Sequence, residues 1–380
     1  MRNSENHIPS TLDSKGMFEI EERFPENLEE ALESYANFSI PPEVEINSKT
    51  TIRYATPSNA VIAGMGGSAI GGDFIKRWFR KTLGIPLEVC RSYELPGYVN
   101  DNSLVVTISY SGETEETLSC FVEAIHRRSM IVGIASAGRL AGYCSRLGIP
   151  LIRVPTGYPP RAALPFILGA LITVMSRFEF LKCRKRDLKE ALQVLKKVRD
   201  ETKRLIPLEK NIAKSIASKL TGSIIVIYAE EAFEEAARRW KDQLNENGKM
   251  LARIEVFPEL NHNDLVGWEN SRVSSRRYSV MILRDTTEEP AMRARVDITT
   301  DILRKKGLNV IELYPEGKSL LSKTLYFSYV GDMVSLYSAV RARVNPFETE
   351  FITQVKKGLA DRVNHQSLLD RAISQMKEKK

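Results

Sequence analysis

Short apolar runs alternate with amphipathic stretches along most of the chain. Asn59–Ala63, Leu87–Arg91, Ser103–Ser109 and Met130–Ala135 are dominated by aliphatic and β-branched residues with little polar alternation. That pattern fits strands covered on both faces. Between them, Ala69–Phe79 and Glu115–Arg127 repeat apolar positions at helical spacing, and residues 26–40 open like an acidic-capped helix after Pro25. Strand and helix in alternation with short turns predict a parallel sheet wound on both faces.

A charged helical stretch, Lys182–Ile206, interrupts the rhythm, which then returns. Ser223–Tyr228, Ile254–Val256, Tyr278–Leu283 and Asn309–Leu313 read as strands, and Glu231–Asn247, Val296–Lys306 and Thr324–Ala339 as helices. The expected fold is therefore α/β, with two doubly wound parallel-sheet domains joined by a charged helix. The expected division is a flexible N-terminal extension over 1–25, a first domain over 26–181, a connecting helix over 182–210, a second domain over 211–345, and a C-terminal helical segment with a basic tail over 346–380. No repeat of fixed period relates the halves.

Composition narrows the class. A chain of 380 residues, 43% hydrophobic and 27% charged, has the length and core of two soluble domains or one large one. The longest uncharged apolar run, between Arg161 and Arg177, is 15 residues. A bilayer span takes about 20, so this run reads as a buried helix. Met1–Phe18 lacks the apolar stretch of a secretory signal. The expectation is a cytoplasmic protein with no membrane partner. Of the net charge of +7, the stretch Thr353–Lys380 supplies +4. Neither zinc-finger spacing nor a basic helix with stacking aromatics accompanies it, so no nucleic-acid partner is expected and the tail reads as a solvated, frayed helix. Cys90, Cys120, Cys144 and Cys183 are widely spaced and read as thiols of a reducing compartment. His7, His126, His262 and His365 are scattered, which predicts no metal site.

Candidate chemistry follows two of the strands. Gly64-Met65-Gly66-Gly67-Ser68-Ala69-Ile70-Gly71-Gly72 leaves the first strand and opens a helix. Glycines admit a close ligand, and the first amides of a helix face an anion. The spacing also meets a dinucleotide fingerprint, although the acid such a site needs is misplaced, with Glu88 inside its strand. A phosphate cradle, a dinucleotide turn and a plain tight turn all stay open on this stretch alone. Ser109-Tyr110-Ser111-Gly112-Glu113-Thr114, after the neighbouring strand, favours phosphate. Hydroxyls and a glycine lie where a helix start leaves amides unpaired. Helix capping accounts for Thr114, but not for Ser109, Ser111 and Gly112 together.

Elsewhere the chain offers the parts of an aldose–ketose isomerisation, which needs a base, a ring-opening acid or base, and a stabiliser for the oxyanion. Glu246, in the polar Asn245-Glu246-Asn247, suits the base. His262, between two asparagines, suits ring opening, and Arg161, ahead of the apolar run, suits the oxyanion. Each also reads plainly as a surface acid, a structural or exposed histidine, and a helix-terminal cation.

The two glycine and hydroxyl loops together resemble the sugar isomerase (SIS) domain, whose fold binds phosphosugars. Pro160-Arg161-Ala162-Ala163-Leu164, Gln243-Leu244-Asn245-Glu246-Asn247, Pro258-Glu259-Leu260-Asn261-His262-Asn263 and Val266-Gly267-Trp268 narrow this to a resemblance to the bifunctional phosphoglucose/phosphomannose isomerases of archaea and some bacteria, over Leu28 to Leu359. The resemblance implies interconversion of glucose 6-phosphate, and of mannose 6-phosphate, with fructose 6-phosphate, without cofactor. It implies Glu246 as proton-transfer base, His262 as ring opener and Arg161 as stabiliser of the intermediate. Gly67, Ser68, Ser109, Ser111 and Thr114 would hold phosphate, Lys356 would assist ring opening (Lys357 if the register slips by one), and Thr349 would admit the mannose epimer. It further implies a homodimer with sites at the interface and the histidine supplied by the neighbouring subunit. A non-catalytic phosphosugar-binding regulator and an SIS isomerase for another phosphosugar are the alternatives. Glu113 departs from the family, where an uncharged residue is usual, and its carboxylate would repel a phosphate unless turned away.

Overall fold

The computed structural model describes residues 12–179, 184–270, 277–363 and 365–378. In chain order, α1 (Met17–Glu22) and α2 (Phe24–Ser34) precede a hairpin of β1 (Glu43–Asn47) and β2 (Thr50–Arg53). Then come β3 (Asn59–Gly64), α3 (Gly66–Trp78), β4 (Leu87–Cys90), β5 (Ser103–Ile108), α4 (Glu115–His126), β6 (Met130–Ala135), α5 (Gly138–Leu147), β7 (Leu151–Arg153) and α6 (Leu164–Arg177). Next are α7 (Lys185–Thr202), α8 (Ile212–Leu220), β8 (Ile224–Glu230), α9 (Glu234–Glu246), β9 (Ala252–Phe257), β10 (Tyr278–Leu283), α10 (Pro290–Lys305), β11 (Asn309–Leu313) and α11 (Leu320–Ala342). Last come α12 (Glu350–Arg362) and α13 (His365–Glu378).

The fold is the α/β arrangement that the alternation predicts, with a parallel sheet in each of two compact units. The five-stranded unit holds the described residues from Phe24 to Glu179 and from Thr349 onward. Its sheet runs β4-β3-β5-β6-β7, every neighbour parallel. β5 and β6 are buried at every position, so their continuous apolar runs reflect cover on both faces. The order reverses between β3 and β5, and this switch point is where sheets of this kind open a crevice at their carboxyl end. The 15-residue apolar run becomes α6, buried from Leu164 to Met175 and packed on α2 and α3. Among the described residues no helix is long and apolar enough to cross a membrane.

The four-stranded unit holds the described residues up to Arg23 and from Arg184 to Glu348, with a parallel sheet β11-β10-β8-β9 that reverses between β8 and β10. Its centre is α11, buried from Leu321 to Ala339 and flanked by α7, α8 and α9. The charged stretch, α7 of this unit, lays an apolar stripe, Ala191, Val194, Leu195 and Val198, against α11.

Two segments depart from expectation. Part of the N-terminal stretch read as flexible is packed. Asp13 caps α1 by accepting from the backbone N–H groups of Met17 (2.6 Å) and Phe18 (3.2 Å), and both side chains are fully buried. Residues 1–11 lie outside the described residues. The tail read as solvated and frayed is likewise anchored through α13, whose Leu369, Ile373 and Met376 join the core of the five-stranded unit. Asn47 Nδ2 donates to the Met376 carbonyl at 2.7 Å. Arg371, on an exposed position of the same helix, lies between these buried residues. α12 fits the solvated reading instead, with no buried residue.

Candidate active site

The glycine-rich loop and the serine-rich loop leave β3 and β5, the two strands that flank the switch point of the five-stranded sheet. Ser68 links them, its buried Oγ accepting the Tyr110 backbone N–H at 3.2 Å. A Cβ on Gly67 would stand 2.8 Å from the Pro160 carbonyl oxygen and 3.0 Å from Arg161 backbone atoms. Glycine is required there because the turn Pro160–Ala163 presses against the loop, bringing buried Arg161 to the same end of the sheet.

The serine-rich loop is held from within. Ser109 Oγ and Thr114 Oγ1 are 2.8 Å apart, and the Thr114 backbone N–H donates to Ser109 Oγ at 3.3 Å. Ser111 Oγ accepts the Glu113 N–H at 3.2 Å. Gly112 takes φ +73°, and a Cβ there would run into the Ala137 carbonyl. Thr114 is the residue at the start of α4, so the hydroxyls gather at the positive end of a helix. Tyr110 secures the loop from below: its hydroxyl donates to the Pro155 carbonyl at 3.0 Å and accepts the Tyr158 N–H at 2.8 Å.

Glu113 is turned away from this cluster. Its carboxylate accepts the Arg139 backbone N–H at 2.9 Å and pairs with the Arg139 guanidinium. Arg139 in turn meets Asp370 of α13 at 3.3 Å, and the Tyr143 hydroxyl donates to the same carboxylate at 2.5 Å. The expected repulsion is thus neutralised by a residue far along the chain, which no local spacing signals.

A cavity of about 460 Å³ lies beside the serine-rich loop. Ser111 and Thr114 line one side together with Glu113, Glu115 and Glu116, and Tyr93, Phe351, Ile352, Val355, Lys356, Leu359 and Ala360 line the rest. Lys356 therefore shares a cavity with two of the hydroxyls expected to hold phosphate, whereas Lys357 is not among the lining residues. Thr349 precedes α12 and is half-buried, outside that lining. Tyr93 is a residue that sequence reasoning missed.

Glu246 and His262 belong to the four-stranded unit. Glu246 is the last residue of α9, and the helix end is pinned on either side of it. Asn247 Nδ2 donates to Ser335 Oγ at 2.9 Å, and Gln243 Nε2 to Asp332 Oδ1 at 2.8 Å. Lys249 Nζ donates to the Glu246 carbonyl at 2.6 Å. Asp332 also takes the buried Arg239 guanidinium at 2.8 Å, so the helix that carries Glu246 is fixed by a buried polar network. His262 ends a short 3-10 turn, Glu259–His262, with its ring exposed.

The switch point of the four-stranded sheet is furnished differently. After β10, Arg284 grips the Glu288 carboxylate with two bonds of 2.7 Å and Glu312 with a third. Lys323 donates to Asp285 at 2.7 and 2.9 Å and to Thr287 Oγ1 at 3.0 Å. Glu230, closing β8, has a buried Oε1 without a hydrogen-bond partner. Burial, with Glu288 and Asp285 nearby, pushes its carboxyl up to about 7.

Comparisons with known proteins give matching results. The SIS domain family model matches residues 54–141, and that of the bacterial phospho-glucose isomerase C-terminal SIS domain matches residues 209–359. The chain is similar to the bifunctional phosphoglucose/phosphomannose isomerase of Caldicellulosiruptor bescii, 34% identical over 91% of this chain and 99% of that one. It is similar to the enzyme of the same name from Aquifex aeolicus, 34% identical over 80% of this chain and 91% of the other. Its fold is similar to that of a hypothetical protein from Thermus thermophilus, with a TM-score of 0.70 at 15% identity, covering 92% of this chain and 91% of that one.

Proposed function

Because the chain belongs to the bifunctional phosphoglucose/phosphomannose isomerase family, we propose that it interconverts glucose 6-phosphate and mannose 6-phosphate with fructose 6-phosphate, needing no metal. The observation that carries this reading is the pair of glycine and hydroxyl loops at the β3–β5 switch point, with Lys356 across the adjoining cavity.

The chemistry follows from what each group can do. Ser68, Ser109, Ser111 and Thr114 donate hydroxyls, and Gly67 lends close backbone, to a terminal phosphate at the start of a helix. His262 with Lys356 moves the proton that opens the sugar ring. Glu246 then takes the C2 proton of the open aldose and returns it to C1, passing through an enediol. Arg161, cationic at every working pH, offsets the charge that develops on the oxygens. Thr349 admits the C2 epimer. We propose the same cytoplasmic homodimer that the family resemblance implies, with the neighbouring subunit's copy of His262 completing each site, acting in glycolysis and gluconeogenesis. Phe351 and Val355 of α12, 80% and 62% exposed, support an apolar contact between copies.

The test is a coupled assay of fructose 6-phosphate formation in EDTA, with each aldose phosphate separately. Turnover of both is expected. Turnover of glucose 6-phosphate alone would remove the epimer claim and Thr349's role, and binding without turnover of either would leave a sensor. Glu246→Gln is expected to bind glucose 6-phosphate and lose at least about 1,000-fold in kcat.

A further inference from the structure

The loop that presents His262 is fixed at every polar position around it. Asn261 Nδ2 donates to Thr299 Oγ1 at 2.8 Å, and Asn263 Nδ2 to Glu259 Oε1 at 2.8 Å. His262 ends one 3-10 turn and Asp264 starts the next, Asp264–Glu269, with Asn263 between them accepting the Asp264 N–H at 2.6 Å. Asp264 is where this loop meets the sheet. Its carboxylate takes the Tyr228 hydroxyl of β8 on one oxygen and Arg253 Nη1 of β9 at 2.5 Å on the other. Trp268, in the second turn, donates its indole N–H to the Tyr228 oxygen at 2.8 Å. Tyr228 is fully buried, and burial together with the Asp264 contact pushes its phenol up, so it stays a donor throughout the working range.

Two strands and the loop itself thus converge on one carboxylate, two residues beyond the exposed imidazole. A surface loop does not need this to remain folded, since Leu260 and Trp268 already anchor it in the core. What the clamp adds is a fixed backbone direction at His262, and a misplacement of about 1 Å costs a proton-transfer group on the order of 100-fold. We propose that Asp264, clamped by Arg253 and by the Tyr228 hydroxyl that Trp268 holds in place, is the positioning residue that fixes His262 for ring opening. The proposal rests on the reading of His262 given above.

Ring opening can be watched apart from isomerisation. In a Glu246→Gln background the C2 proton does not move, but opening and reclosing the ring still exchanges the α and β anomers of glucose 6-phosphate, which exchange NMR measures. Adding Tyr228→Phe or Asp264→Asn is expected to slow the catalysed exchange about ten-fold, with the dissociation constant for glucose 6-phosphate within about two-fold of the parent. In the otherwise unaltered enzyme, kcat falls alongside and KM does not. Asp264→Glu, which keeps the carboxylate, recovers part of the rate. A merely structural contact predicts a lower melting temperature with no selective loss of anomer exchange.

Exchange within about two-fold of the parent in folded Tyr228→Phe overturns the proposal. Should that variant not fold, Arg253→Met reaches the same carboxylate from its half-exposed side, with a loss of about three-fold expected and an unchanged rate overturning the proposal. His262→Ala separates the two claims. If it leaves exchange intact, the reading of His262 fails; if it abolishes exchange while the Tyr228 and Arg253 variants are normal, only the positioning role fails.

Discussion

The carboxyl ends of the two sheets pose the same problem and solve it in opposite ways. In the five-stranded unit the loops after β3 and β5 are built from glycine and uncharged hydroxyl residues that bond one another and the backbone at a helix start, Ser68 and Ser109 buried among them. In the four-stranded unit the loops after β8 and β10 carry Glu230, Arg284, Asp285 and Glu288, and the last three pair among themselves or with Lys323 and Glu312. On the reading proposed above, one switch point takes an incoming anion, whereas the other is filled by the protein's own carboxylates. The same topology therefore makes a binding site or a structural knot, according to whether the loop supplies its own charge.

Three substitutions probe that contrast. The largest effect is expected at the filled end. Lys323→Ala strands Asp285, whose side chain is only 12% exposed, and should cost about 3 kcal/mol in urea unfolding while isomerase kinetics stay unchanged. A loss of activity with full stability would mean that this end, too, binds substrate. At the open end, the double change Ser109→Ala and Thr114→Val should do the converse. Losing two phosphate donors, at roughly 1.4 kcal/mol each, lowers kcat/KM about 100-fold with little change in urea midpoint. The smallest effect concerns Glu230. Its carboxyl is raised from 4.5 to about 7, so the stability it contributes is whole below pH 4.5 and drains away as pH rises through 7. Glu230→Gln cannot ionise, so its melting temperature relative to the parent should climb between about pH 5 and pH 8, by about 1 °C given that the group is half-exposed. A difference that stays flat with pH would remove Glu230 from the knot.

Much of the first sheet was legible because its strands are buried on both faces and write themselves as unbroken apolar runs. Ser103–Ser109 and Met130–Ala135 fall within a residue of β5 and β6. α5 escaped notice because Gly138 and Gly142 interrupt its stripe, and β7 because three residues carry no period. The clustering of the hydroxyls at one helix start was legible, since Ser109, Ser111 and Thr114 lie together between a strand and a helix. The ion-pair knot was not. Arg284, Asp285 and Glu288 read as an ordinary charged turn, and only the fold brings in Glu312 and Lys323. Glu113 shows the same limit: its sequence neighbours warn of repulsion, and its partner Arg139 lies 26 residues on.

The anchoring of α13 has a consequence for how the chain is made. The last strand of the five-stranded sheet ends at Arg153, yet the residues that fill the groove beside α4 and β1 begin at Leu369. A ribosome adding about 5–20 residues per second needs roughly 10–40 s to cover that interval. Throughout it the nascent sheet waits with an apolar groove uncovered, while the Arg184–Glu348 part of the four-stranded unit is synthesised. That interval is when the chain exposes the most apolar surface to other chains, so slower translation lengthens its exposure to aggregation.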